Sequence, residues 1–322
     1  ASTVAVPGAR GAWSGAAMCI LFVAVGQHPD FPVVLAHNRD EWLARRCERM
    51  EPRDWRLESG SRRLRVVGDG EGQTLLAGRD LQAGGTWLGL SRVPRTGACR
   101  FATVLNNSDY REPSQPGAPS RGMLPARFLL GPPGQSPGAF IQALAGEAEA
   151  EEMAGFALLC AAFGRGTEPE VAFVRNRARP GEEAVVPALG PGIHVLCNDA
   201  TLASDWGRVR RGRQLFTEAL QAAGAGAGAG AAERLEAELF GRLLLDRAPP
   251  VQGDTDRKGD VPLFIEPLRE AYGTRAATVV LCSHDGDVRA SERCFEGAAP
   301  VPGVGDAEHV FLSRGGGPAA GS

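Results

Sequence analysis

The sequence predicts an α+β protein with layered sheets, and three observations carry this. Strand-length apolar runs gather toward both ends of the chain, most helical periodicity falls between them, and the two kinds do not alternate strictly as a doubly wound parallel sheet requires. The 322 residues, 43% hydrophobic and 23% charged, can bury a substantial core.

In chain order, Cys19–Val25 (CILFVAV) and Phe31–Ala36 (FPVVLA) are apolar runs rich in β-branched and aromatic residues, and Gln27-His28-Pro29-Asp30 between them reads as a turn. The pair predicts a hairpin that delivers Asn38-Arg39-Asp40-Glu41 near its end. The stretch Glu41–Arg65 is arginine-rich and holds Trp42 and Trp55; Glu48, Glu51, Asp54 and Glu58 dilute its charge, so it reads as an irregular solvated loop. Further strands are expected at Thr74–Ala77, Gly85–Leu90, Phe101–Leu105, Phe156–Ala162, Glu170–Val174, Gly192–Leu196, Ala276–Cys282 and Asp287–Arg293. Helices are expected at Gly122–Leu130, Pro137–Ala150, Trp206–Ala223 and Ala231–Leu245. Glu112–Arg121 (EPSQPGAPSR) reads as a linker and Gly224–Gly230 (GAGAGAG) as a flexible joint. Gly68-Asp69-Gly70-Glu71-Gly72 reads as a turn, since it lacks the spacing of a dinucleotide fingerprint. Met18 stands directly before the first strand and reads as the natural start. The expected organisation is an extension at 1–17, one domain over 18–314 and a disordered tail at 315–322.

Composition excludes several function classes. A net charge of −3 gives no basic excess for nucleic acid or an anionic membrane surface, and no apolar run approaches the ~20 residues that span a bilayer. Lys258 is the only lysine among 35 basic residues, a skew that reflects coding bias together with the abundant Gly, Ala and Pro. The seven cysteines are scattered and form no C-x-x-C pair, which argues for buried thiols in a reducing compartment over zinc or a disulfide framework; no metal is expected. No P-loop and no G-x-S-x-G elbow occurs. Ser283-His284-Asp285 has the residue types of a hydrolase triad, but adjacent residues point in different directions and cannot form the relay.

Cys19 is the candidate nucleophile. Within a longer chain it reads as a small buried hydrophobe. If Met18 is the initiator and is trimmed, Cys19 gains its own α-amine, whose pKa of ~7.7–8.0 suits a general base at neutral pH. Arg39 can then lower the thiol's pKa, and Asp40 can orient the ammonium or the arginine. The other reading of Arg39-Asp40-Glu41 is a set of surface ion pairs.

Met18-Cys19-Ile20, Asn38-Arg39-Asp40-Glu41, Gly84-Gly85-Thr86-Trp87-Leu88-Gly89, Ser120-Arg121-Gly122 and Tyr272-Gly273-Thr274-Arg275 follow one another as in the NRDE family, the transport and Golgi organization protein 2 homologues. The resemblance runs from Met18 to about Phe295 and implies a four-layer αββα sandwich like that of N-terminal-nucleophile hydrolases. It also implies catalytic roles for Cys19, Arg39 and Asp40, oxyanion positions at Asn106 and Asn198, and a late arginine at Arg275. For the two asparagines, a strand-end turn role stays open beside the oxyanion role. One departure is Cys197, where the family usually has serine before the asparagine; a thiol is the weaker hydrogen-bond donor.

The resemblance links the chain to Golgi organisation and protein secretion, and to haem and lipid homeostasis. The implied setting is the cytoplasm with mitochondrial and Golgi association. Two site functions follow. One is an amide or thioester hydrolase acting on an acyl compound through Cys19, with no cofactor required. The other is a non-catalytic chaperone carrying haem out of mitochondria. No C-x-x-C-H or Cys-Pro haem signature exists, which leaves His28, His37, His194 and His284 as axial-ligand candidates or as ordinary structural histidines.

Overall fold

The computed structural model describes residues 19–59, 64–68, 73–93, 96–107, 119–224, 230–248, 262–267, 271–296, 299–300 and 307–311. The expected extension at 1–17 and tail at 315–322 lie outside these, as do most of the expected linker, of the flexible joint and of the 68–72 turn.

The described residues open with β1 (Ile20–Val25) and β2 (Val33–Trp42), followed by β3 (Cys47–Ser59), β4 (Leu64–Gly68), β5 (Gln73–Asp80), β6 (Leu88–Arg92) and β7 (Cys99–Asn106). Three helices come next, α1 (Met123–Leu129), α2 (Pro137–Ala145) and α3 (Ala148–Glu152), and then β8 (Phe156–Phe163), β9 (Glu170–Arg175), β10 (Val185–Val186) and β11 (Gly192–Leu196). Helix α4 (Gly207–Gly224) precedes α5 (Ala231–Glu238), which runs on into a π-helical segment at Leu239–Leu244. The described chain ends with β12 (Tyr272–Cys282), β13 (Val288–Glu296), β14 (Ala299–Pro300) and β15 (Ala307–Phe311).

The protein is a mixed α/β structure with two antiparallel sheets. One has the order β11-β1-β2-β12-β13-β14, with β15 also on β13; the other runs β10-β9-β8-β7-β6-β5-β3-β4. Strand alternation divides the apolar side chains into three clusters. Leu21, Val23, Val33 and Leu35 of the first sheet meet Leu90, Phe101, Leu159 and Phe173 of the second. On the opposite face of the first sheet, Ile20, Phe22, Val34 and Ala36 pack with Phe216, Leu220, Leu235 and Leu239 of the later helices. On the opposite face of the second, Leu75, Ala102 and Leu158 pack with Leu124, Phe128, Phe140 and Ile141 of the earlier helices.

Two expectations are corrected. The stretch 41–65 is not an irregular loop: it holds the 13-residue β3 and the start of β4. Its strand character is hidden because Arg53 pairs with Glu48 and Glu51, so charged residues fill the outward positions, while Met50 and Trp55 are buried. The expected helix at Pro137–Ala150 is two helices: Ser136 caps α2 by accepting from the Ala139 N–H, and Gly146 ends it. Strand β2 also runs six residues further than expected, through Asn38-Arg39-Asp40-Glu41 to Trp42.

Candidate active site

Strand alternation splits Asn38-Arg39-Asp40-Glu41 between two faces of β2. Val33 and Leu35 face the second sheet, so His37, Arg39 and Glu41 follow them; Val34 and Ala36 face the later helices, so Asn38 and Asp40 do the same. On that helical side Asn38 Nδ2 donates to the carbonyls of Leu244 at 2.8 Å and Leu263 at 2.9 Å. The Asp40 carboxylate accepts from Thr274 Oγ1 at 2.6 Å and from Arg208 Nη2 of α4 at 3.3 Å. Both members of the Asp40–Arg208 ion pair have fully buried side chains. Burial pushes the Asp40 carboxyl up to about 6, against the pull of Arg208 and the Thr274 bond.

On the other side of β2 the sheets end in a pocket of about 110 Å³, and Cys19, His37, Arg39, Trp87, Asn106 and Arg121 contribute to its wall. Cys19 stands at the head of β1 on the face shared with Leu21, and its Sγ donates to the backbone carbonyl of Asp40 at 3.5 Å. Burial first, then the Asp40 carboxylate, pushes this thiol up to about 12. Arg39 lies over the Trp87 ring, 4.0 Å from its centroid, with Glu41 3.9 Å away. His37 is 2% exposed, and neither ring nitrogen has a hydrogen-bond partner. Burial, then Arg39, pushes its pKa down to about 3, so the imidazole is neutral.

Two sequence motifs meet at this pocket. The Thr86 N–H donates to the Gly122 carbonyl at 3.0 Å, joining Gly84-Gly85-Thr86-Trp87 to Ser120-Arg121-Gly122. The approach requires glycine at 85: φ is +80°, and a Cβ there would stand 2.5 Å from the Gly122 oxygen. Gly78 leaves the space filled by the Trp87 ring. Ser120 and Arg121, expected as the end of a linker, are therefore part of the pocket wall.

The family profile described as Transport and Golgi organisation 2 matches residues 18–297. The chain belongs to this family. The Transport and Golgi organization 2 homolog of Mus musculus is 26% identical over 294 residues, covering 86% of this chain and 92% of its own length. The homologues of Bos taurus (27% over 302 residues, 88% and 95% covered) and Homo sapiens (26% over 295 residues, 86% and 92% covered) are similar to it in the same way.

The remaining family-derived positions fall in different places. Asn106 and Asn198 come together at the pocket edge, where Asn198 Nδ2 donates to the Asn106 carbonyl at 2.6 Å. Arg275 stands outside the pocket wall. It is the extra residue of a β-bulge, where Arg39 pairs with Ala276 but Asp40 pairs with Thr274. Its Nη1 donates to the carbonyls of Trp42, Leu43 and Arg45 at 3.2, 2.9 and 3.3 Å, fixing the turn after β2. The histidines do not converge. His28 accepts from the Asp30 N–H in the first turn, His194 bonds the Gly190 carbonyl and His284 bonds the Pro29 carbonyl; of these four candidates only His37 reaches the pocket. Among the described residues no three His, Cys, Asp or Glu side chains gather at a metal-sized site, and no helix is long and apolar enough to cross a membrane.

Sequence reading missed Arg208. Its signal was present: Arg208, Gly212, Phe216 and Leu220 stand four apart on one buried stripe of α4. An arginine at the head of an apolar stripe needs a buried anion, and Asp40 supplies it.

Proposed function

We propose that this member of the Transport and Golgi organisation 2 family is an acyl hydrolase that cleaves an amide or thioester, with Cys19 as nucleophile. The observation that carries the reading is the position of Cys19: of seven cysteines, all free, it is the one in the wall of the polar pocket. A thiol pushed up to about 12 is not nucleophilic at neutral pH, so the reading includes removal of whatever precedes Cys19. The family match that starts at residue 18 supports this. The freed α-amine takes the thiol proton, Sγ attacks the acyl carbon, and the C–N or C–S bond breaks as the ammonium returns the proton to the leaving amine or thiol. Water then hydrolyses the Cys19 thioester. The pocket-lining Asn106, bonded to Asn198, supports an oxyanion role.

The three apolar clusters, alternating with two sheets between two groups of helices, support an αββα sandwich of the N-terminal-nucleophile hydrolase type. The relatives' names carry the proposal that the chain serves Golgi organisation and transport. The test uses the chain beginning at Cys19 and its Cys19→Ala variant on a panel of acyl amides and acyl-CoA thioesters, with released amine or thiol as the readout. Equal turnover by the two refutes the reading.

Haem carriage is the second reading, favoured by one observation, the unpartnered ring nitrogens of His37 in the pocket. Its ligand would have to enter a pocket of about 110 Å³, whereas small-molecule sites commonly offer ~300–1,000 Å³. A spectral titration settles it: a saturable Soret shift lost in His37→Ala supports carriage, and an unsaturable response removes it.

A further inference from the structure

The pocket wall holds three guanidiniums, Arg39, Arg45 and Arg121, against two carboxylates, Glu41 and Asp80. Arg45 is spent on Asp80, with Nη2 at 2.6 Å and Nε at 3.0 Å from one carboxylate oxygen, and reaches Glu41 at 3.6 Å. Arg39 lies on Trp87 with Glu41 at 3.9 Å. Arg121 alone of the three makes no ion pair among the described residues; its Nη1 donates to the Gly155 carbonyl at 2.9 Å. Burial and then the charge of Arg45 lower its pKa, and Glu41 offsets part of this. The second, independent observation is His37, buried in the same wall with both ring nitrogens unpartnered. Buried polar atoms in folded proteins are nearly always paired, and a ligand in the pocket would pair this one.

We propose that the pocket takes a short acyl group bearing its own carboxylate, received by the Arg121 guanidinium, with His37 donating a ring N–H to the same ligand. This rests on the acyl-hydrolase reading and names its substrate class. Size sets the length. A water needs ~10–15 Å³ of such space, so the pocket admits roughly eight groups of that size, about a succinyl-sized chain. A larger leaving group would stay outside.

The test is equilibrium binding, measured by calorimetry on the full chain with succinamate and butyramide. The two share an amide and differ in a carboxylate against a methyl group. Succinamate is expected to bind about tenfold tighter or more, the fold-change of a charge-assisted hydrogen bond. Arg121→Gln should erase that preference, Arg121→Lys should keep part of it, and His37→Phe should weaken succinamate binding further than butyramide binding. Thermal midpoints report folding of each variant; if Arg121→Gln does not fold, Arg121→Lys decides, since its preference must fall without vanishing. Equal binding of the two ligands, no saturable succinamate binding, or a preference that survives loss of Arg121 overturns the proposal. The two ideas separate by readout: the carboxylate preference is read by binding alone and turns on Arg121, whereas the hydrolase reading stands or falls on turnover by the chain beginning at Cys19 against its Cys19→Ala variant.

Discussion

Breaking the Asp40–Arg208 pair from its two ends should give two different pH dependences. Both side chains are fully buried, so each removal strands a charge. Asp40→Asn keeps the shape but leaves the Arg208 guanidinium in the interior without a carboxylate, at a cost of about 3–5 kcal/mol at pH 8; because it also removes the carboxyl whose protonation stabilises the parent, the loss grows as pH falls through about 6, by up to ~1.4 kcal/mol per pH unit. Arg208→Met strands the carboxylate instead, and a carboxylate can take a proton. Asp40 already has a pKa raised from 3.8 to about 6, so its ionisation costs stability as pH rises through that window. Losing Arg208 raises the folded value further. At about pH 8 the loss should again be about 3–5 kcal/mol, whereas at about pH 5 the protonated carboxyl keeps its Thr274 bond and the loss shrinks, by up to ~1.4 kcal/mol per pH unit. Urea unfolding at both pH values, with slopes checked for constancy, measures this. The Asp40→Asn/Arg208→Met double variant at pH 8 should lose less than the sum of the singles. A pH-independent loss for Arg208→Met, or strict additivity, would refute the argument.

Three further outcomes are expected. Gly85→Ala should destabilise by more than Gly97→Ala: both have left-handed φ, of +80° and +70°, but a Cβ meets the Gly122 carbonyl only at position 85; the Gly97 change isolates the backbone cost of about 1–2 kcal/mol, and unfolding curves of the two compare them. Alkylation of Cys19, mapped by mass spectrometry, should be slow at neutral pH and rise about tenfold per pH unit with no plateau near pH 9, while the chain beginning at Cys19 labels faster. His37, depressed from 6.5 to about 3, stabilises the fold above pH 6.5 and that contribution fades as pH falls, so His37→Gln should reduce acid sensitivity by up to ~1.4 kcal/mol per pH unit below 6.5; its ring resonances should not titrate between about pH 5 and 8.

Legibility followed the apolar pattern. Gly192–Leu196 was read with its observed bounds and Glu170–Val174 to within one residue, because runs of β-branched residues bounded by turns need no tertiary information. Strand β3 is hidden in the sequence because its charged residues pair within the strand, Arg53 with Glu48 and Glu51, and its buried Met50 and Trp55 stand five apart, which leaves no strand period. In the site, the motif residues Cys19, Arg39 and Asn106 reach the pocket, and so does His37, which the sequence offers as a haem ligand or an ordinary structural histidine. Arg121 was visible as a motif residue and given no role, since only the fold places it beside Gly85 and Cys19. Arg45 and Asp80 are 35 residues apart, and nothing local announces their pairing.

The division of Asn38-Arg39-Asp40-Glu41 between two faces explains why a charged tetrapeptide sits inside a strand with buried residues on both sides. Arg39 lies on the Trp87 face with Glu41 beside it, while Asn38 and Asp40 bond the carbonyls, Thr274 and Arg208 on the helical side. A one-residue slip would exchange these partners and bury four polar groups unpaired, so the register of β2 is held from both faces. The bulge at Arg275 fits this: the extra residue sits where β12 passes Asp40, and its side chain binds the turn that follows Trp42. Asp40 then serves both faces. Its side chain is fixed among the helices, and its backbone carbonyl, held in place by that anchorage, receives the Cys19 thiol on the pocket side. The buried ion pair thus lies behind the strand whose backbone carbonyl accepts from Cys19, and does not itself enter the pocket.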